Sequence, residues 1–233
     1  MEAIILAGGK AERLGTAAAG RPKALVPVAG RPLAAYQLAL LGSAGVERVI
    51  VSCAAGQEDL FESELHGLGV EVVTAPEPER LGRGGGLRFA ASARAEEGDV
   101  FALNGDELID VDLTALLDRH RETGAAATIV VAPLPSSFGV VDLGPEDAVT
   151  GFRETPTLPY WASCGVYVLG EEAIARLPER GDHERTTFPE LAAEGRLAAF
   201  RHTGIWLSVN TLKDLRVAEE FVAAHPDLLA AGR

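Results

Sequence analysis

Short apolar runs alternate with helix-like segments over about the first 134 residues, and no other feature constrains the fold as strongly. The runs at 2–7, 47–53, 70–74, 99–104 and 126–133 read as strands. Between them, P-L-A-A-Y-Q-L-A-L-L-G-S-A-G at 32–45 has proline just inside a helix start and glycine at its stop. Further helices are expected at 57–66, 84–95 and 112–122. Stripes such as Leu33, Tyr36 and Leu40, or Leu113, Leu116 and Leu117, then face a core. Alternation of this length predicts an α/β fold, Rossmann-like, with a mixed, mostly parallel sheet and helices on both faces.

After 134 the texture shifts to short strands and turns, among them F-G-V-V-D-L, V-T-G-F-R and W-A-S-C-G-V-Y-V-L. Helices return at 171–177, 187–194 and 211–224. No Ser/Gly linker, repeat or low-complexity tract interrupts the 233 residues. A single domain is expected, with 1–134 as its first half and 135–233 elaborating the same sheet.

No apolar run approaches the roughly 18 residues that a membrane span needs, and no basic-then-apolar leader opens the chain. A cytoplasmic protein without a membrane partner is expected. The net charge of −13 argues against nucleic acid, which requires a basic face. Cys53 and Cys164 are too sparse for a disulfide framework and read as buried free thiols. His66, His120, His183, His202 and His225 lack metal-ligand spacing and read as surface or helix-end residues.

Against that acidic background the opening is basic. Residues 1–31 carry Lys10, Arg13, Arg21, Lys23 and Arg31 against Glu2 and Glu12. The strand I-I-L-A runs into Gly8 and Gly9, at the carboxyl edge where α/β sheets hold ligands. Two glycines allow close backbone approach to phosphate or a base, and cations converging on one loop imply a shared anion. Only Lys10, Lys23 and Lys213 are lysines, so two of three fall in this segment, where a compact ammonium is wanted. Asp106 ends the apolar run V-F-A-L-N-G-D and projects from a strand's carboxyl end, as a Mg²⁺-holding carboxylate or a turn residue. Glu107 reads as exposed by adjacency, Asp110 as a turn residue and Asp112 as a helix N-cap. The spacing matches neither a P-loop nor a dinucleotide fingerprint.

Seven segments in order resemble the sugar-1-phosphate nucleotidylyltransferases, or nucleotide-sugar pyrophosphorylases. They are L-A-G-G-x-x-x-R-L with R-P-K-A-L-V-P-V-A-G-R-P-L, L-G-R-G-G-G-L (81–87), L-N-G-D (103–106), F-G-V-V (138–141), G-F-R-E-T-P (151–156), C-G-V-Y-V-L (164–169) and W-L-S-V-N-T-x-x-D-L (206–215). The resemblance covers nearly the whole chain and implies a single glycosyltransferase A-like nucleotidyltransferase domain. Its implied partners are a nucleoside triphosphate and a sugar-1-phosphate, whose oxygen attacks the α-phosphorus and displaces pyrophosphate. By similarity Arg13 holds the pyrophosphate, Lys23 the α-phosphate and Asp106 a Mg²⁺ ion. Leu6, Ala7, Gly8, Gly9, Glu77, Gly82, Gly84 and Gly85 would contact the nucleotide, and Asn104, Gly139, Glu154 and Gly165 the sugar phosphate.

Several positions depart from the family pattern. Where many relatives read W-x-D-x-G-T, Ser208 replaces the Asp and Asn210 the Gly, which makes Asn210 the expected second metal ligand through its amide oxygen. Thr155 stands where E-K-P relatives have a lysine, and the side chain of Arg153, the candidate substitute, should alternate to the other face of a strand. Ala11 and Glu12 replace a frequent Gly and Thr, and Glu12 is expected to face solvent. Trp161 and Trp206 read as packing or pocket-lining rings. Glu77 occupies the position of a base-reading Gln; a carboxylate accepting N1–H and N2–H₂ favours guanine, so a mannose-1-phosphate guanylyltransferase is slightly preferred. A solvated loop glutamate is the competing reading. The alternatives in function are a catalytically degenerate nucleotide-sugar-binding regulator and transfer to another phosphorylated acceptor. Sugar and oligomeric state stay open, a homo-oligomer included.

Overall fold

The computed structural model describes residues 1–9, 11–18 and 20–225, so Lys10 lies outside the described residues. The first half runs β1 (Glu2–Leu6), β2 (Pro27–Val28), β3 (Arg31–Pro32), α1 (Leu33–Ser43), β4 (Arg48–Ala54), α2 (Glu58–Leu65), β5 (Glu71–Glu77) and α3 (Gly82–Ala91). It continues with β6 (Val100–Asn104), β7 (Glu107–Ile109), α4 (Leu113–Thr123) and β8 (Ala127–Pro135). The second half contains β9 (Val140–Leu143), β10 (Val149–Arg153), β11 (Thr157–Leu169), α5 (Glu171–Ala175), α6 (Thr187–Ala193), β12 (Leu197–Arg201), β13 (Trp206–Ser208) and α7 (Leu212–Ala224).

Seven strands form one sheet in the order β12-β8-β11-β6-β1-β4-β5. β1 pairs in parallel with β4 and β6, β4 with β5, and β8 with β12; β11 runs antiparallel to both neighbours. The α/β reading with a mostly parallel sheet therefore holds. Strands covered on both faces read as near-continuous apolar runs, as A-I-I-L does in β1; Glu2 at its start is buried as well, paired with Arg48. Successive side chains still divide between the faces. Ala3, Ile5, Val49, Val51, Phe101 and Leu103 join one core with residues of α1, α2 and α4. Ile4, Ile50 and Ala102 join the other with residues of α3, α5 and α6.

A third apolar cluster fixes the site. Leu14, Val26 and Val28 of the N-terminal loop pack with Leu33 and Tyr36 of α1, Leu108 of β7, Val209, and Leu215, Ala218 and Val222 of α7. Burying these groups clamps the first 30 residues against the last described helix, about 25 cal/mol for each Å² of apolar surface removed from water. That cluster brings together side chains more than two hundred positions apart, Leu14 and Val222. Local chemistry sets the helix ends: Asp112 caps α4 by accepting from the Ala115 amide, as expected, and Gly124 stops it at φ 60°. α7 starts with a reciprocal box between Thr211 and Asp214.

Candidate active site

The chain leaves β1 for β4 and β5 on one side and later returns to β6 on the other, so the strand order reverses between β1 and β6. Adjacent carboxyl ends at such a point open a crevice. Here the crevice is a cavity of about 390 Å³ lined by Leu6, Ala7, Gly8 and Gly9 at the end of β1, and by Asn104 to Glu107 at the end of β6. Backbone bonds set its walls. The Ala7 amide donates to the Ser52 carbonyl, the Gly105 amide to Leu6, and the Lys23 amide to Gly9.

At its mouth Lys23 Nζ lies 2.7 Å from Asp106 Oδ2 and 2.6 Å from Asn210 Oδ1. Arg13 Nη2 donates to the same Asn210 oxygen at 3.1 Å. Four of the residues singled out in the sequence thus meet, two cationic donors and two oxygen acceptors, drawn from the two ends and the middle of the chain. Arg21 does not join them: it pairs with Glu64 of α2 at 2.7 Å. Arg31 and Glu12 are exposed.

Glu107 overturns its sequence reading. Its side chain is buried, not exposed, because β7 starts directly after the Gly105–Asp106 turn and pairs antiparallel with β13, Ser208 opposite Glu107. Trp206 Nε1 donates to its Oε2 at 2.8 Å, and Ser208 Oγ bonds its Oε1 at 3.2 Å. Burial, reinforced by the neighbouring Asp106 charge, pushes the Glu107 carboxyl up to about 8. Trp206 holds this group in place, whereas Trp161 is 47% exposed under the Arg201 guanidinium and lines no part of the cavity.

Glu77, at the end of β5, lines the opposite wall. Ser52 Oγ donates to Oε1 at 2.8 Å and the Leu81 amide to Oε2 at 3.0 Å. A Cβ on Gly86 would stand 2.7 Å from that Oε1, so a glycine there is what admits the carboxylate. Gly82 lines the cavity; Gly84 and Gly85 do not. Those two are buried, and a Cβ on either would come within 2.7 Å of the 178–183 segment. The glycines of L-G-R-G-G-G-L seat α3 tightly on that segment.

His183, in this segment, is buried, as are His120 and His202; the surface or helix-end reading fails for His202, whereas His183 opens a 3₁₀ turn, His183–Arg185. His120, also buried, sits in the last turn of α4. Neither His183 ring nitrogen has a hydrogen-bond partner among the described residues, and the ring packs edge-on against Tyr167 and Phe188. Burial pushes its pKa down to about 4, against the pull of Glu184 and Asp182. A base whose folded pKa is depressed contributes full stability above its unfolded value, about 6.5, and loses it as pH falls towards 4. Over that window the loss is about 3 kcal/mol. The wild type is expected to lose more melting temperature than His183→Phe between pH 7 and pH 4.5; parallel melting curves for the two proteins would contradict this.

In the second half, Gly165 sits beside Asn104: at φ 70°, a Cβ there would lie 2.6 Å from Asn104 Nδ2. Asn104 Oδ1 is buried without a partner among the described residues. Gly139 precedes β9 and Glu154 follows β10; neither lines the cavity. Arg153 is committed to both oxygens of Asp142 at 2.9 Å. Cys53 and Cys164 are free and buried, as expected. No described helix is long and apolar enough to cross a membrane.

Comparison with known proteins bears on the fold and the family. A mannose-1-phosphate guanylyltransferase from Mycobacterium tuberculosis is 33% identical over 98% of this chain and 65% of its own length. The catalytic subunit beta of that enzyme from Drosophila pseudoobscura pseudoobscura is 32% identical over 91% of this chain and 60% of its own. The chain therefore spans less than two thirds of the length of these relatives, 65% of one and 60% of the other. A Bacillus anthracis crystal structure, provisionally described as a glucose-1-phosphate thymidylyltransferase, superimposes with a TM-score of 0.76 at 18% identity over 95% of each chain, a likeness of fold. A family model for nucleotidyl transferases matches residues 2–225, the whole sheet and every side chain of the cation–oxygen cluster. On that match, the chain belongs to the nucleotidyl transferase family.

Proposed function

We propose that the protein is a Mg²⁺-dependent sugar-1-phosphate nucleotidylyltransferase that joins GTP and mannose 1-phosphate. The observation carrying this reading is the Lys23 ammonium held between Asp106 Oδ2 and Asn210 Oδ1 at the sheet's switch point, with Arg13 on the same amide oxygen. A sugar-phosphate oxygen forms a bond to the α-phosphorus while the bond to the β-phosphate bridging oxygen breaks, and pyrophosphate leaves with that electron pair. Such a reaction needs cations on the phosphoryl oxygens and alignment of the nucleophile, and little covalent help.

Lys23 neutralises charge on the α-phosphate, and Arg13 holds the departing pyrophosphate. Asp106 and Asn210 suit Mg²⁺: two hard oxygens already converge on one cation at 2.6–2.7 Å. Bound there, Mg²⁺ supplies charge neutralisation to the triphosphate. Residues 1–134 serve the nucleotide, with Gly8, Gly9 and Gly82 offering backbone approach and Glu77 the base. Residues 135–233 serve the acceptor, with Asn104 at their border and Gly139, Glu154 and Gly165 in the second half.

The test is pyrophosphate release with Mg²⁺ across four nucleoside triphosphates crossed with mannose-, glucose-, galactose- and N-acetylglucosamine-1-phosphate. GTP with mannose 1-phosphate should lead; silence across the grid would defeat the proposal. Glu77, preset by Ser52 and Leu81, accepts the paired N1–H and N2–H₂ of guanine, a contact worth about 1–3 kcal/mol of discrimination. Glu77→Gln should reduce the GTP-over-ATP ratio of kcat/KM roughly 5- to 150-fold. An unchanged ratio would remove Glu77 from base recognition.

A further inference from the structure

The hydrogen bonds behind Asn210 run in one direction, and chemistry fixes which. Lys23 and Arg13 can only donate, so the Asn210 atom facing both of them is its oxygen. The amide nitrogen therefore points the other way and donates to Ser208 Oγ at 2.6 Å. Ser208 Oγ bonds Glu107 Oε1 at 3.2 Å, and Glu107 Oε2 accepts from Trp206, whose indole can only donate. Glu107 in turn cannot drift. It lies in the β7–β13 ladder, its carbonyl accepts from Gln37 Nε2 at 2.9 Å, and its side chain is 6% exposed.

We infer that Ser208 is a positioning residue for the nucleotidyl transfer, holding the Asn210 amide with its oxygen towards the phosphates, and that Glu107 is its anchor. This rests on the function proposed above only for the use made of that oxygen. The orientation itself does not depend on the protonation of Glu107: whichever of the two shares its proton, Ser208 Oγ remains the acceptor for Asn210. In the ligand-free protein Lys23 also restrains the amide. Once Lys23 and Arg13 both turn to phosphates, the Ser208 bond is the side-chain restraint that remains among the described residues. Groups that orient a metal's direct ligands typically account for 10- to 100-fold in affinity or activity.

Three variants test this: Ser208→Ala, the conservative Ser208→Thr, and the near-isosteric Glu107→Met. In the ligand-free protein, ¹H–¹⁵N spectra of the Asn210 side-chain amide should show a marked shift in Ser208→Ala and a near-native signal in Ser208→Thr. By calorimetry, Ser208→Ala should weaken GTP binding roughly tenfold or more in Mg²⁺ while leaving binding in EDTA unchanged. Ser208→Thr should recover most of the loss. Glu107→Met should lose a similar factor and add little in the double variant, as expected for residues acting in series.

An Asn210 signal indifferent to Ser208→Ala would overturn the inference. So would equal weakening with and without metal, or additive losses in the double variant. If the wild type binds no GTP at all, the proposed function fails, and the amide spectrum still decides the role of Ser208.

Discussion

Asp106→Ala is expected to lower kcat/KM for GTP and mannose 1-phosphate by at least about 10³-fold, some 4 kcal/mol of transition-state stabilisation. The carboxylate does two things in one place. It is the charged half of the oxygen pair that converges on a cation, and it sets Lys23 through a 2.7 Å ion pair. Removing it leaves one neutral amide oxygen to hold Mg²⁺, and an amide contributes no charge. The side chain stands at the mouth of the cavity and its neighbours Val209 and Gly105 are held by backbone bonds, so the fold should survive. Melting temperature and steady-state kinetics on the same preparation separate the two effects. A variant that keeps a tenth of wild-type turnover would remove Asp106 from the centre of the site.

Lys23→Ala should cost a comparable factor, roughly 10³-fold, because a cation aimed at developing phosphoryl charge is among the largest single contributions to this chemistry. Lys23→Arg is the more informative change. Nζ bonds two oxygens from residues about a hundred positions apart, at 2.6 and 2.7 Å, a spacing made for a compact ammonium. A planar guanidinium keeps the charge and loses that fit. Lys23→Arg should therefore recover less than a tenth of wild-type kcat, with KM for GTP closer to normal. Full recovery would mean that charge alone matters at this position.

The parts of this fold legible in the sequence are those decided locally or by burial on two faces. β1, β4 and β6 read as apolar runs because their central positions are buried on both faces and only end positions are partly exposed. Asp106 was legible because a carboxylate ending such a run has one place to go. Glu107 was misread, because its environment depends on pairing with β13, a strand of three residues about a hundred positions away. No local period signals a pairing of that range. The clue available was the departure at Ser208 and Asn210: a hydroxyl and an amide in place of an acid and a glycine need a partner. The burial of His183 was hidden for the same reason, since Tyr167 and Phe188 cover it only once α6 packs on the sheet. The glycines of α3 were legible as close-approach positions, but the sequence could not tell backbone from ligand as the thing approached. Arg21 shows the opposite limit: it counts in a tally of basic residues and spends its charge on Glu64, away from the cavity.

The most direct measurement follows two phosphorus labels through one reaction. Incubated with mannose 1-phosphate and Mg²⁺, GTP labelled at the α-phosphate should pass its label into a GDP-sugar, and GTP labelled at the γ-phosphate should release its label only as pyrophosphate. Label from the γ-position in the sugar product would instead mean phosphoryl transfer. The absence of any labelled product from mannose 1-phosphate and the other sugar-1-phosphates would contradict the proposed transfer itself.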